Sequence, residues 1–252
     1  MAFDVTPEAY TRFMGRYSLP LAVKFLDLLD PQRGQRVLDV GCGTGIVTAE
    51  LAERVGQEAV SAIDPSPPFL SAVRMRLPHV DLRDGHAEEM PFDDDTFDLA
   101  LAQLSVHFMA DPARGVAEMA RVVRPGGTVA AVVWDVHGGG SPLAVFWRAA
   151  HAFDPNAMSA SGLPGPEDGD LTTIFERAGL QPAELTAVTV HRWFDSFEEW
   201  WEPYLLGVGP AGDFVTGLDV ETRDRLAAQC RDLLPTPPFD VPGKAWVSRA
   251  VV

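Results

Sequence analysis

One ten-residue stretch limits this chain more than any other. It reads Val37-Leu38-Asp39-Val40-Gly41-Cys42-Gly43-Thr44-Gly45-Ile46, a short apolar run, then alternating glycines, then a helical period. Glycines between a buried strand and a helix let the backbone turn tightly and approach a ligand without Cβ collisions. The helix that follows offers free N–H groups to an anionic group such as a carboxylate. A plain strand–helix turn is the alternative for the glycines taken alone. Asp64 adds weight to the ligand reading. It lies 19 residues beyond Gly45, at the end of the next apolar run, where a carboxylate can accept hydrogen bonds from both hydroxyls of a ribose. A helix N-cap at Asp64, with Pro65-Ser66 following, is compatible with that role.

The surrounding pattern supplies the scaffold. Strand-like runs at 36–40, 58–63, 97–103 and 128–134 alternate with helical periods at 46–55 and 113–123. Near-continuous apolar strands between amphipathic helices indicate a parallel sheet covered on both faces. A helix is expected over 18–29, with Ser18 as N-cap and Asp30-Pro31 as the stop. Pro125-Gly126-Gly127 reads as a turn feeding the next strand. Residues 136–169, rich in Gly, Pro, Ser and Asp, read as an irregular excursion before a helix at 170–178. Strands are expected at 184–192 and 245–252. Between them the aromatic segment with Trp193, Phe194, Phe197, Trp200, Trp201, Tyr204 and a helix at 221–234 reads as an inserted cap.

Charge and cysteine usage exclude several classes of function. With 20 Lys and Arg against 36 Asp and Glu the net charge is −16, which repels a phosphate backbone or an anionic membrane. Cys42 and Cys230 lack CxxC partners, so neither a disulfide framework nor a zinc site is expected. Cys230 shares a helical face with Leu226, Leu233 and Leu234 and reads as buried filler. No 18 apolar residues run together, and Met1-Ala2-Phe3-Asp4 lacks the basic and apolar regions of a leader. A cytoplasmic protein with no nucleic-acid or membrane partner is expected.

A dinucleotide fingerprint wants G-x-G-x-x-G/A, but the sixth position here is Ile46 and Gly45 comes one residue early. The chain instead resembles the class I S-adenosylmethionine-dependent methyltransferases, whose first motif reads like VLDVGCGTG. The resemblance continues in Gly85-His86-Ala87-Glu88-Glu89-Met90-Pro91-Phe92, similar to the family's GDAExLPF. Further on come Phe97-Asp98, His107 with Asp111-Pro112, and Arg124-Pro125-Gly126-Gly127, in the family's order over about residues 10–135. Met14-Gly15-Arg16-Tyr17-Ser18 is similar to an actinobacterial-type branch of small-molecule methyltransferases.

The resemblance implies a Rossmann-like α/β fold: a mostly parallel seven-stranded sheet with an antiparallel final hairpin, helices on both faces and a helical cap. It implies an N-terminal helical segment at 1–30, a core at 31–192, a cap at 193–239 and a last strand at 240–252. S-adenosylmethionine is the implied cofactor. Asp39 with the backbone of Gly41, Cys42 and Gly43 would hold its methionine part, and Asp64 its ribose, with Pro65 beside the adenine. The Ala87 N–H would meet an adenine nitrogen, and the Gln103 backbone the methionine amino group. Arg16 is a candidate for the methionine carboxylate, or else a surface charge. His86 stands where the family usually has an Asp to accept from the adenine amino group. A neutral imidazole nitrogen can accept that bond too; otherwise the contact falls to Glu88 or water.

Asp64-Pro65-Ser66-Pro67-Pro68-Phe69 imitates the SPPF motif of enzymes that methylate amino groups of DNA bases. There the motif ends the fourth strand; here it follows the second, so that reading is rejected. Methyl transfer to a hydroxyl or carbon acid needs a proton removed. His107 and His137 both follow strands that end over the cofactor, so both are candidate bases, against a structural hydrogen bond for His107 and solvent exposure for His137. His191 reads as structural. No ligand-like metal cluster is present in the sequence. Trp200, Trp201 and Tyr204 are candidate acceptor-pocket residues, against the alternative of a packed cap core. The expected activity is methyl transfer to a small molecule at oxygen or carbon. The alternatives are C-methylation of a quinone precursor or a non-catalytic cofactor-binding regulator.

Overall fold

A computed structural model describes residues 6–155, 157, 170–183 and 185–252. Seven strands form one sheet in the order β3-β2-β1-β4-β5-β7-β6. They are β1 (Val37–Val40), β2 (Val60–Asp64), β3 (Asp81–Asp84), β4 (Phe97–Gln103), β5 (Val123–Trp134), β6 (Thr186–Phe194) and β7 (Phe239–Val251). The first five pair in parallel, and β7 runs antiparallel between β5 and β6. β1 and β2 are buried at every position because helices cover both faces, which is why they read as continuous apolar runs. β3 carries no such signal. Its sequence, Asp-Leu-Arg-Asp, is exposed and charged, as suits a sheet edge that must not recruit another strand.

The N-terminal helix starts earlier than the sequence suggests. The Thr6 side chain accepts from the Ala9 N–H and Pro7 occupies the first turn, opening α1 (Pro7–Tyr10). A π-helical turn (Thr11–Gly15) then leads into α2 (Arg16–Leu29). Ser18 is therefore not a cap; it is buried inside α2. The expected stop holds, with Asp30 in the left-handed region at φ 49°. α3 (Ile46–Val55) and α4 (Pro67–Arg76) pack with α2 on one face of the sheet. α5 (Pro112–Val122) and α7 (Asp170–Arg177) cover the other.

Two expectations need correction. Arg124-Pro125-Gly126-Gly127 does not precede a strand but interrupts one. Phe97 pairs with Val123 and Leu99 with Thr128, so these four residues bulge out of the β4 ladder. Gly126 and Gly127 instead exchange hydrogen bonds with Val252. Residues 136–169 are not wholly irregular either: α6 (Ala144–Phe153) lies within them, while 156 and 158–169 fall outside the described residues. Its apolar face, Phe146, Trp147, Ala149 and Ala150, is buried.

β6 runs on to Phe194 and β7 begins at Phe239, so the segment between them is 195–238. It holds α8 (Phe197–Trp201), a 3₁₀ turn (Glu202–Leu206), α9 (Gly209–Thr216) and α10 (Val220–Leu233). α6 joins this group, stacking Phe146 on Tyr204 at 4.6 Å between ring centroids.

Candidate functional site

The glycine loop is held from both sides. The N–H groups of Gly41 and Cys42 donate to the Ile63 carbonyl at 2.8 and 3.1 Å, tying the loop to β2. Gly41 (φ 74°) passes so close to the end of β4 that a Cβ there would lie 2.5 Å from the Ser105 Cβ. Gly45, also at φ 74°, starts α3 against Val73 of α4. The Arg76 guanidinium donates to the Thr44 and Gly45 carbonyls at 3.0 and 2.6 Å. At Gly43 nothing lies within 4 Å of where a Cβ would project, and the loop opens there.

It opens beside a cavity of about 340 Å³ including its mouth, lined by Asp39, Gly41, Cys42, Gly43, Thr44 and Gln103 together with Tyr10 and Ser18 of the N-terminal helix. Asp39 is buried at the centre of the sheet, where the Thr48 hydroxyl donates to its Oδ2 at 2.6 Å. Burial pushes its carboxyl up to about 7; the Thr48 bond opposes this and the nearby Asp64 charge adds to it. Asp64 accepts the Gly43 N–H at 2.8 Å and the Ser66 N–H at 2.9 Å, one on each oxygen, so each oxygen keeps acceptor capacity. Burial raises its carboxyl as well, against these two bonds. The Gln103 side chain donates to the Ser18 carbonyl at 3.0 Å, while its Oε1 and the Thr44 hydroxyl are buried without partners. Burial pushes the Cys42 thiol well up, so it is not a nucleophile.

Since burial raises Asp39 in the folded state, the folded protein holds a proton there that the unfolded chain releases. This contribution to stability is present below about pH 4 and is lost as pH rises towards 7. Thermal melts of Asp39→Asn are expected to lose that part of the pH dependence; an unchanged pH profile would count against the assignment.

A second cavity, of about 720 Å³ including its mouth, adjoins the first, and Tyr10 and Leu104 line both. Its remaining wall comes from Phe13 and Met14, from Trp134 and Trp147, and from Val208–Ala211 at the start of α9. Leu104, directly after β4, holds φ 60°, a strained conformation for a leucine at the wall shared by the two cavities. His107 lines the second cavity; burial pushes it down to about 4, so the ring is neutral at neutral pH.

Several expected site residues lie elsewhere. Arg16 lines neither cavity. Its Nε and Nη1 donate to the carbonyls of Phe13 and Glu199 at 3.0 and 3.1 Å, and its guanidinium lies over the Phe194 ring. It pins the N-terminal helix to α8. Glu88 Oε1 accepts the N–H groups of Ala110 and Asp111 at 2.6 and 3.2 Å, fixing the loop before α5. His137 is exposed in the turn after β5, outside the second cavity. Trp200 and Trp201 are 1% and 8% exposed and stack with Tyr204 and Phe197 in the cap core, lining neither cavity. Aromatic residues of this segment close a core between helices, and the small residues of α9 face the cavity instead. Pro65 and His86 are exposed and Ala87 is half-buried, on the Asp64 side of the loop. Sequence reasoning missed Tyr10, Met14, Trp134 and Trp147; the only available signal was the helical spacing of Tyr10, Phe13 and Met14.

Residues 38–131 match the family model described as a methyltransferase domain. An uncharacterized methyltransferase of Mycobacterium tuberculosis is 42% identical over 135 residues, 54% of this chain and 52% of that protein. A 2-methyl-6-phytyl-1,4-hydroquinone methyltransferase of Oryza sativa subsp. japonica is 33% identical over 168 residues, 64% of this chain and 44% of that protein. The matched stretch thus spans about half the length of these curated relatives. A putative methyltransferase from Bacillus halodurans has the same fold, with a TM-score of 0.59 at 21% identity, covering 91% of this chain and 97% of that one.

Strand order, glycine loop and cavity define a Rossmann-like domain of the class I methyltransferase fold. Residues 38–131 carry a methyltransferase domain of the S-adenosylmethionine-dependent family, and the chain is similar in sequence to mycobacterial members of uncharacterized activity. S-adenosylmethionine is the methyl donor of that family. The first cavity fits its amino-acid end, because an orphaned amide oxygen and a buried carboxylate wait there for donors. No described helix is long and apolar enough to cross a membrane. Among the described residues no group of three or more His, Cys, Asp or Glu side chains could hold a metal ion.

Proposed function

We propose that the protein transfers a methyl group from S-adenosylmethionine to a small molecule, at oxygen or carbon. The observation that carries this reading is the adjacency of the two cavities through Tyr10 and Leu104. A polar cavity suited to the donor's amino-acid end lies beside an apolar one that can seat an acceptor. The donor, when bound, supplies an electrophilic methyl on a sulfonium. The protein's part is to hold both partners in line, worth roughly 7–11 kcal/mol when the geometry is right.

Asp39, the loop backbone and the Gln103 backbone would hold the methionine part, Asp64 the ribose, and Pro65 with the Ala87 N–H the adenine. His86 is the one remaining side-chain candidate at the adenine amino group. His107 is the candidate that faces the acceptor. A ring whose pKa burial sets near 4 is a weak proton acceptor at neutral pH, so it serves better to orient an acceptor hydroxyl than to remove its proton. The rice relative favours a hydroquinone-type precursor as the first acceptor class to try.

Incubation of the protein with methyl-labelled donor and a panel of phenols, hydroquinones and carbon acids tests the proposal. Label transfer to at least one acceptor is expected. Tight S-adenosylhomocysteine binding with no transfer to any metabolite fraction would favour a regulator. Asp64→Ala is expected to weaken S-adenosylhomocysteine binding by about 1.5–3 kcal/mol, the usual worth of hydrogen bonds to a charged group. Calorimetric titration showing wild-type affinity would remove Asp64 from the site.

A further inference from the structure

Among the described residues, none that lines the second cavity carries a charge at neutral pH. Its fifteen lining residues among those described are aromatic, aliphatic or glycine apart from His107 and Ser141, and their polar side-chain groups are the Tyr10 hydroxyl, His107, Ser141 and the buried, unpartnered indole N–H groups of Trp134 and Trp147. His107 is neutral at physiological pH because burial depresses its pKa to about 4. Ser141 is buried and its hydroxyl already accepts the Leu143 N–H at 3.2 Å. One buried carboxylate, Asp135, lies in sequence between the lining residues Trp134 and Val136. It is already used: Lys244 pairs with it at 3.1 Å and the Gly138 N–H donates to it at 3.0 Å. Asp39 and Asp64 lie on the donor side of Tyr10 and Leu104, and neither lines this cavity.

An ionised group entering such a space would leave water and meet no counter-charge from the described side chains, and burying an unpaired charge is among the most unfavourable things a site can do. Aromatic walls and a few polar groups suit the opposite ligand, a flat uncharged ring that offers one or two hydroxyls. We infer that the acceptor is an uncharged ring compound bearing a phenolic or enolic hydroxyl, and that the cavity between α9 and the N-terminal helix rejects amines, carboxylates and phosphates. This rests on the methyl-transfer reading for its place in the reaction, but the selection is a property of the cavity and is measurable without turnover.

Three probes of one size make the comparison by titration calorimetry, with the full chain saturated in S-adenosylhomocysteine. They are a naphthalenediol (neutral), a hydroxynaphthoate (anionic) and a naphthylmethylamine (cationic). The neutral probe is expected to bind, with the anion and the cation weaker by on the order of 100-fold. Ala211→Trp, which fills the cavity at the start of α9, is expected to abolish neutral binding while S-adenosylhomocysteine binding stays at its wild-type value. Should that variant not fold, Met14→Trp fills the same space from the opposite wall. Comparable or tighter binding of either charged probe, or no binding of the neutral one, overturns the inference. So does unchanged neutral binding in a folded, cavity-filled variant. Failure of S-adenosylhomocysteine to bind, or of any acceptor to be methylated, instead overturns the methyl-transfer reading. The three probes compared on the protein alone then still decide what the cavity accepts.

Discussion

Gly41→Ala is expected to lower stability by about 2–4 kcal/mol and to reduce S-adenosylhomocysteine binding below detection. Two effects add at this position. The backbone sits at φ 74°, where an L side chain is strained, and the new Cβ would meet the Ser105 Cβ at 2.5 Å. Ser105 cannot simply turn away, because the contact is with its Cβ and its hydroxyl donates to the Val40 carbonyl at 2.7 Å. The loop must therefore shift off β4, carrying the Gly43 N–H away from Asp64 and opening the cavity floor. Gly34→Ala is the comparison: φ there is 94°, but nothing lies within 4 Å, so only the strain remains. Chemical denaturation and calorimetric titration of both variants separate clash from strain. Equal losses in the two would show that the close approach to β4 does not matter.

Trp200→Ala is expected to cost about 3–5 kcal/mol in stability, as large-to-small changes of buried aromatics do, while S-adenosylhomocysteine binds the folded fraction with wild-type affinity. The ring lies 4.9 Å from Tyr204 and 5.8 Å from Phe197, centroid to centroid, with 1% of the residue exposed. Removing it leaves a void between α8 and the neighbouring turn that these rigid neighbours cannot fill. Trp200→Phe should recover much of the loss. A variant with unchanged denaturation midpoint but impaired acceptor binding would return Trp200 to the pocket.

The glycine loop and its two acidic neighbours were legible in the sequence because they are local. Glycine spacing, the strand before it and the acid after the next strand lie within residues 37–64, and each element carries its own periodic signal. The second cavity was not legible for the opposite reason. Its walls come from the N-terminal helix, the end of β4, the end of β5, α6 and the start of α9, which are remote in sequence. A tryptophan cluster draws attention in a sequence, yet large aromatics serve a cap core and a binding pocket equally well. The lining residues Val208–Ala211 are small and carry no signal at all.

Arg16 illustrates the same division. Its neighbours Met14-Gly15 and Tyr17-Ser18 mark a helix near the donor site, and that much follows from sequence. Which way its guanidinium turns depends on Glu199 and Phe194, nearly two hundred residues away. The sequence by itself determined the alternation of strands and helices, the glycine loop between the first strand and its helix, and the strongly acidic net charge. These rest on backbone sterics and on apolar period, which act between near neighbours in the chain. Only the tertiary structure decided which residues line the second cavity and which fill the cap. That choice depends on the direction each side chain takes once distant helices pack together, and contact between distant segments leaves no period in the sequence.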